Sequence, residues 1–229
     1  MIDIHSHILP GVDDGSPDPE TTCRMLRQSY EHGITDIAAT SHFYASRDTM
    51  ESFLQRRSEA FARLELEADM PRIHLGAEVA YFSGIHNSEE LEQLQIGNTG
   101  LILIEMPFVP WTKAMVEDIC NIVGYRQLQP VLAHVERYRG SGQLKKYLAQ
   151  LLEADVLLQC NAGAFQTGFK GKWALDMLRE GKIHFIGSDC HNMTVRPPQM
   201  NVAAKVIQEK CGQQPLQNLV DFARAYFPA

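Results

Sequence analysis

The chain has 229 residues, 45% of them hydrophobic and 21% charged, an ordinary globular composition that predicts a single domain over 1–229. A formal net charge of −7 argues against a general affinity for nucleic acid, and no apolar run approaches membrane-spanning length, so no membrane insertion is expected. The N-terminus lacks the basic and apolar regions of a signal peptide, and five cysteines without a CxxC pair read as reduced thiols, which together predict a cytoplasmic protein.

In chain order, Ile2 to His5 alternate apolar and polar residues and read as a short strand. His5 and His7 are two apart, which on an extended backbone points both imidazoles to one side. Pro10-Gly11 breaks the strand, and Asp13-Asp14-Gly15 reads as an acidic turn. The pair of histidines followed by carboxylates suits a metal site; a polar strand edge with an ordinary Asp-Gly turn would look the same. Ser16-Pro17-Asp18-Pro19-Glu20 has the composition of a helix start, Met25, Leu26 and Tyr30 supply its apolar stripe, and Gly33 stops it. Ile34 to Thr40 is a β-branched run ending in Ser41-His42, and Met50, Phe53, Leu54, Phe61 and Leu64 then keep helical spacing.

The alternation continues. Arg72 to Val79 is strand-like and carries Glu78, and a short acidic helix is expected around Glu89 to Leu94. Leu101 to Met106 is an apolar run interrupted by Glu105, followed by a helix marked by Met115, Val116, Ile119, Cys120 and Val123. Pro130 to Ala133 leads to His134, and Leu144, Leu148, Leu151 and Leu152 form the next helical stripe. Val156 to Cys160 and Ile183 to Gly187 are the last strands, separated by a helix around Trp173, Met177 and Leu178. Helices over 199–229 close the chain; the stretch from Gln213 onwards carries no recognisable motif. Seven strand–helix units with largely apolar strands imply a parallel α/β sheet covered by helices, more readily closed into a barrel than open.

Nearly every predicted strand delivers a metal-capable residue at or just past its C-terminal end, where α/β barrels keep their chemistry. These are His5 and His7 with Asp14, then His42, Glu78, Glu105, His134, and finally Asp189 and His191. A carboxylate such as Glu78 or Glu105 inside an apolar run is costly to bury unless paired or metal-bound, and one alone could be a structural ion pair. Nine candidate ligands exceed the needs of one ion and fit two or three. Asp14, Glu78, Glu105 and Asp189 supply fewer negative charges than three divalent ions supply positive ones, a surplus that favours a phosphate ester.

His5-Ser-His7, Thr40-Ser-His42, Gly76-Ala-Glu78, Ile104-Glu-Met-Pro107, Ala133-His134-Val-Glu-Arg137-Tyr138 and Gly187-Ser-Asp189-Cys-His191-Asn192 resemble the motifs of the PHP (polymerase and histidinol phosphatase) superfamily. Within it, Leu9-Pro-Gly-Val-Asp-Asp-Gly-Ser16 and His134-Val-Glu-Arg-Tyr138 are similar to the manganese-dependent tyrosine-protein phosphatases of bacterial capsule and exopolysaccharide loci. The motifs run in order from residue 2 to about 196. The resemblance implies a distorted (β/α)₇ barrel with three divalent metal ions, Mn²⁺ first, although His and carboxylate ligands also accept Fe, Zn or Co. It assigns His5, His7, Glu78 and Asp189 to one ion, Glu78, Glu105 and His134 to a second, and Asp14, His42 and His191 to the third. Arg137 matches the family's phosphate-binding arginine, and Arg196 stands where a second is expected; either could instead form a surface ion pair.

The chemistry so implied is phosphomonoester hydrolysis by a metal-bound hydroxide that attacks phosphorus in line with the leaving phenol oxygen. Phe43, Tyr44, Phe82, Phe108 and Trp111 follow strand ends and are candidates to flank a phosphotyrosine ring; aromatic residues in loops also simply pack. The implied partner is a bacterial tyrosine kinase whose C-terminal tyrosine cluster controls polysaccharide export; oligomeric state stays open. Rival readings are a histidinol-phosphate phosphatase on the same metals and a non-catalytic kinase-docking module. Cys190 to Arg196 also fits the C-x₅-R spacing of cysteine-dependent tyrosine phosphatases. That stretch has no glycine to open a phosphate loop, and Asp189 beside the thiol disfavours a thiolate, so Cys190 reads as a packing residue.

Overall fold

Parallel strands wound round one interior carry the polar residues named above to a common end. The computed structural model describes residues 1–140, 142–166 and 168–228, without the side chains of 168–170. The strands are β1 (Ile2–Ser6), β2 (Asp36–Ala39), β3 (His42–Phe43), β4 (Arg72–Leu75), β5 (Glu78–Ala80), β6 (Leu101–Glu105), β7 (Gln129–Leu132), β8 (Leu157–Asn161) and β9 (Phe185–Gly187). The helices are α1 (Pro19–Glu31), α2 (Met50–Ala62), α3 (Lys113–Cys120), α4 (Gln143–Glu153), α5 (Gly168–Arg179), α6 (Met200–Cys211) and α7 (Gln213–Tyr226). Local chemistry sets their ends. Asp18 accepts from Thr21 N–H at 2.8 Å with Pro19 in the first turn of α1, and Thr49 and Thr112 cap α2 and α3 in the same way.

The barrel is seamed. One sheet runs β1-β2-β4 and the other β3-β5-β6-β7-β8-β9, all pairings parallel. The strands expected over 34–40 and 72–79 therefore each break in two, β2 passing to β3 and β4 to β5. Thr40 turns aside to exchange hydrogen bonds with the backbone of Ser6, and at Gly76 a Cβ would lie only 3.0 Å from Ile96. The ring closes between the first and last strands, where Asp189 N–H donates to His5 C=O at 2.7 Å and His7 N–H to Cys190 C=O at 2.9 Å. The short acidic helix expected near 89–94 is only a 3₁₀ turn over Leu91–Leu94, without a side-chain cap to extend it.

Strand alternation grades the interior from apolar to polar. Leu101, Leu103 and then Glu105 face one way on β6; Leu157, Gln159 and Asn161 do so on β8. The lower residues join Ile2, Ile4, Val131, Ala133 and Phe185 in an inner core, and Ala223 and Phe227 of the last helical segment pack against it. The motif-free C-terminal stretch thus covers the end of the barrel opposite the polar residues. A second, larger core lies between the outer strand faces and the helices. Among the described residues, no helix is long and apolar enough to cross a membrane.

Candidate metal centre

All nine candidate ligands converge at the polar end of the barrel, His42 and Glu78 opening β3 and β5 just beyond the ends of β2 and β4, and Glu78 is their hub. Its carboxylate is 1% exposed, with Oε2 at 3.3 Å from Nε2 of both His5 and His7 and 3.0 Å from His42 Nδ1. Its Oε1 lies 2.8 Å from His134 Nε2, which is also 3.3 Å from Glu105 Oε1. Asp189 Oδ1 lies 3.5 Å from Nε2 of both His5 and His7. Asp14, with its carboxylate 68% exposed, reaches in from the turn, its Oδ1 3.6 Å from His42 Nε2 and 3.5 Å from His191 Nε2. Ligand atoms of His5, His7 and Asp189, of His42, Glu78 and Glu105, and of His7, Asp14, His42 and His191 each fall within 4.8 Å of one another.

The donor chemistry fits cations. Nδ1 of His7 is 2.7 Å from Asp13 Oδ2, Nδ1 of His5 is 3.2 Å from Gln159 Oε1, and Nδ1 of His191 is 3.0 Å from Asp189 C=O. Each partner is an acceptor, so each Nδ1 carries the hydrogen and each Nε2 turns a lone pair inward, the usual posture of a metal-ligating imidazole. Nε2 of His5 and Nε2 of His7 then meet 3.2 Å apart amid carboxylate oxygens, and buried Nε2 of His191 has no hydrogen-bond partner. Lone pairs facing one another require a proton or a cation between them. Titration behaviour expresses the same demand. Burial by itself would lower His7, yet its hydrogen bonds to Asp13 and Glu78 push it up to about 10. His134, likewise buried, is raised to about 9 by Glu105 and Glu78. His191 moves the other way, to about 4, through burial and the charges of His7 and Arg196. Burial would raise Glu78 and Asp189, but facing positive charge, His5 foremost, holds both carboxyls low.

Both sequence-chosen arginines reach the cluster, and both lie on Asp189. Arg137 Nη2 bonds Oδ2 and Arg196 Nη2 sits 2.5 Å from Oδ1, each side chain 35% exposed. Two candidate ligands occupy strained backbone, His134 at φ +33° and Asp189 at φ +53°. Cys190 is fully buried, and burial together with nearby Asp3 pushes its thiol well above the usual range, which disfavours a thiolate nucleophile.

Sequence reasoning missed the supports of this cluster. Asp13, the neighbour of the chosen Asp14, holds His7 and also accepts from the backbone N–H of His42 at 2.9 Å and of Gly15 at 3.0 Å. Gln159 Oε1 accepts from His134 N–H at 2.6 Å as well as from His5, and its Nε2 donates to Asn161 Oδ1 at 2.9 Å. Asn161 Nδ2 in turn donates to Asp189 Oδ2 at 2.7 Å. Strand β8, which offers no candidate ligand itself, therefore holds candidates from three other places in the chain, His5, His134 and Asp189. Its one signal was a lone glutamine within the apolar run Val156 to Cys160.

Comparison with known proteins decides the family. Residues 1–223 match the model "Capsular polysaccharide synthesis, CpsB/CapC". The chain belongs to the CpsB/CapC family. It is 31% identical to tyrosine-protein phosphatase CpsB of Streptococcus agalactiae, over 93% of this chain and 92% of that one. Tyrosine-protein phosphatase YwqE of Bacillus subtilis is 30% identical over 93% of this chain and 86% of its own length. Among solved structures, those of YwqE from Bacillus subtilis and CpsB from Streptococcus pneumoniae, described as unique metal-dependent tyrosine phosphatases, superpose with a TM-score of 0.85. That likeness has 26% identity and covers 99% of this chain and 94% of the other. The CpsB/CapC fold thus carries the candidate metal-binding cluster of this chain at its polar end.

Proposed function

We propose that this CpsB/CapC protein is a metal-dependent protein-tyrosine phosphatase that hydrolyses tyrosyl phosphate to tyrosine and inorganic phosphate. The observation that carries the reading is the set of anchored imidazoles of His5, His7 and His191, whose Nε2 atoms converge on the carboxylates of Glu78, Asp189 and Asp14, with two guanidinium groups at the edge. His5, His7, Glu78 and Asp189 would hold one ion, Glu78, Glu105 and His134 a second, and Asp14, His42 and His191 a third, with Mn²⁺ the first candidate. Bound there, divalent ions would neutralise phosphoryl oxygens and acidify water.

The chain's own groups do the rest. Asp13 and Gln159 keep the Nδ1 hydrogens of His7 and His5 in place, so that Nε2 stays free to ligate. Arg137 and Arg196 each have a planar fork that takes two phosphoryl oxygens, and both start from Asp189 at the rim. Hydrolysis breaks the bond from phosphorus to the phenol oxygen. Phenol, with a pKa of about 10, leaves more readily than a serine or threonine alkoxide, so a tyrosyl phosphate needs less proton assistance than a seryl or threonyl one. The family's role in capsular polysaccharide synthesis supports a tyrosine kinase of polysaccharide export, dephosphorylated on its C-terminal tail, as the substrate. Five free cysteines suit a reducing cytoplasm.

The test is turnover of a phosphotyrosine peptide beside histidinol phosphate, in metal-stripped protein and with Mn²⁺ restored. Metal-dependent turnover of the peptide, lost in His134→Ala and kept in Cys190→Ser, is the expected result. Preference for histidinol phosphate would reassign the substrate, loss of activity in Cys190→Ser would revive a thiol mechanism, and no turnover of either would leave a docking module.

A further inference from the structure

Of the aromatic residues that follow strand ends, the fold removes three from contention. Phe43 is 3% exposed and packs edge-on to Phe53; Trp111 is 3% exposed, with its indole N–H on Pro107 C=O; Phe82 is packed against the helix-side core. Tyr44 and Phe108 remain. Tyr44 lies beside His42, with ring centroids 5.3 Å apart, beneath the guanidinium of Arg47. Phe108 lies beside His134, which contacts the opposite oxygen of Glu78 from His42.

Phe108 is the more unusual of the two. It is 64% exposed, although a phenyl ring ordinarily gains by burial. Its ring is nevertheless held in a stack, 18° from the plane of His134 and 28° from that of Tyr138, with centroids at 6.3 and 5.5 Å. Tyr138 is itself immobilised, its hydroxyl donating to Met106 C=O at 2.8 Å and its ring against the edge of Trp111. A positioned ring with a free surface stands at the rim of the cluster, and Arg137 follows His134 by one short turn. A phosphoryl group among Arg137, Arg196 and the ligands would bring its ester substituent out over this rim.

We propose that Phe108 is the platform on which the aryl group of the substrate stacks, and that it sets the preference for aryl over alkyl phosphates. This rests on the phosphatase reading. An offset stack between two rings is favourable beyond the area it covers, whereas an alkyl chain gains only the area.

The test is calorimetric binding of phenylphosphonate and methylphosphonate to the Mn²⁺-loaded protein, which needs no turnover. Wild type should prefer phenylphosphonate, and Phe108→Ala should reduce that preference about fivefold while Phe108→Trp retains it. Because the side chain is largely exposed, the melting temperature of Phe108→Ala should stay near that of wild type. An unchanged preference in Phe108→Ala, a collapse in Tyr44→Ala instead, or no preference in wild type would overturn the proposal. Failure of the phosphatase reading shows separately, as absent metal-dependent turnover of the phosphotyrosine peptide.

Discussion

Asp13 grips His7 from behind, with Oδ2 2.7 Å from Nδ1, while the adjacent Asp14 faces His42 and His191 from the solvent side. One turn thus divides two identical side chains between bracing His7 and facing the candidate metal centre. Asp13→Ala should weaken Mn²⁺ binding about 10- to 100-fold, the usual effect of deleting a ligand's hydrogen-bond partner. Metal titration of stripped protein reads this directly, and wild-type affinity in the variant would remove Asp13 from that role.

Gln159 is the second support. Gln159→Leu strips the acceptor from buried His134 N–H and from His5 Nδ1, and the donor from Asn161 Oδ1. Each orphaned group costs about 1–3 kcal/mol, so urea unfolding should shift to markedly lower denaturant with little change of slope. An unshifted midpoint would mean that the amide bridge contributes nothing to stability.

Gly187 faces His5 across the closing seam of the barrel. A Cβ there would stand 2.5 Å from His5 Cβ and 3.0 Å from Gln159 Nε2. Gly187→Ala should displace the imidazole while the helices persist, lowering kcat/KM by about 100-fold with a native far-UV circular dichroism spectrum. Full activity in a folded variant would show that the seam can widen at no cost.

Away from the candidate metal centre, Asp36 ties β2 to β4 through His74 at 2.9 Å and Arg72 at 2.9 Å. Burial would raise its carboxyl, but these partners outweigh it and hold it below the usual range. A depressed native pKa contributes stability above the unfolded value, about 3.9, that is lost as pH falls towards the lower native value. The stability gap between wild type and Asp36→Asn should therefore be widest near pH 7 and narrow below about pH 4. A gap that is constant with pH would rule out ionised Asp36 as its source.

The succession of strands, most of the helices and the residues that gather at the polar end were legible along the chain, because each rests on short-range regularities. Apolar runs of strand length ended in histidine or carboxylate time after time, and Asp18 and Pro19 announce the first helix unaided. Harder to read was the division of two strands at 40–41 and 76–77, since what bends them is contact with Ser6 and Ile96 from elsewhere in the chain. The aromatic candidates likewise looked alike until burial separated Phe43 and Trp111 from Phe108.

By itself, then, the sequence determined a parallel α/β barrel whose strand ends are loaded with imidazole and carboxylate, because side-chain period and residue type are local properties. Only the tertiary structure decided which groups hold those side chains in place. Gln159 meets His5 across 154 positions and His134 across 25, and Asp13 differs from Asp14 only in the direction its side chain leaves the turn. The partners of Gln159 are set by the closure of the barrel, which brings distant backbone together, and that of Asp13 by the path of the folded turn; neither leaves a trace in the spacing of residues along the chain.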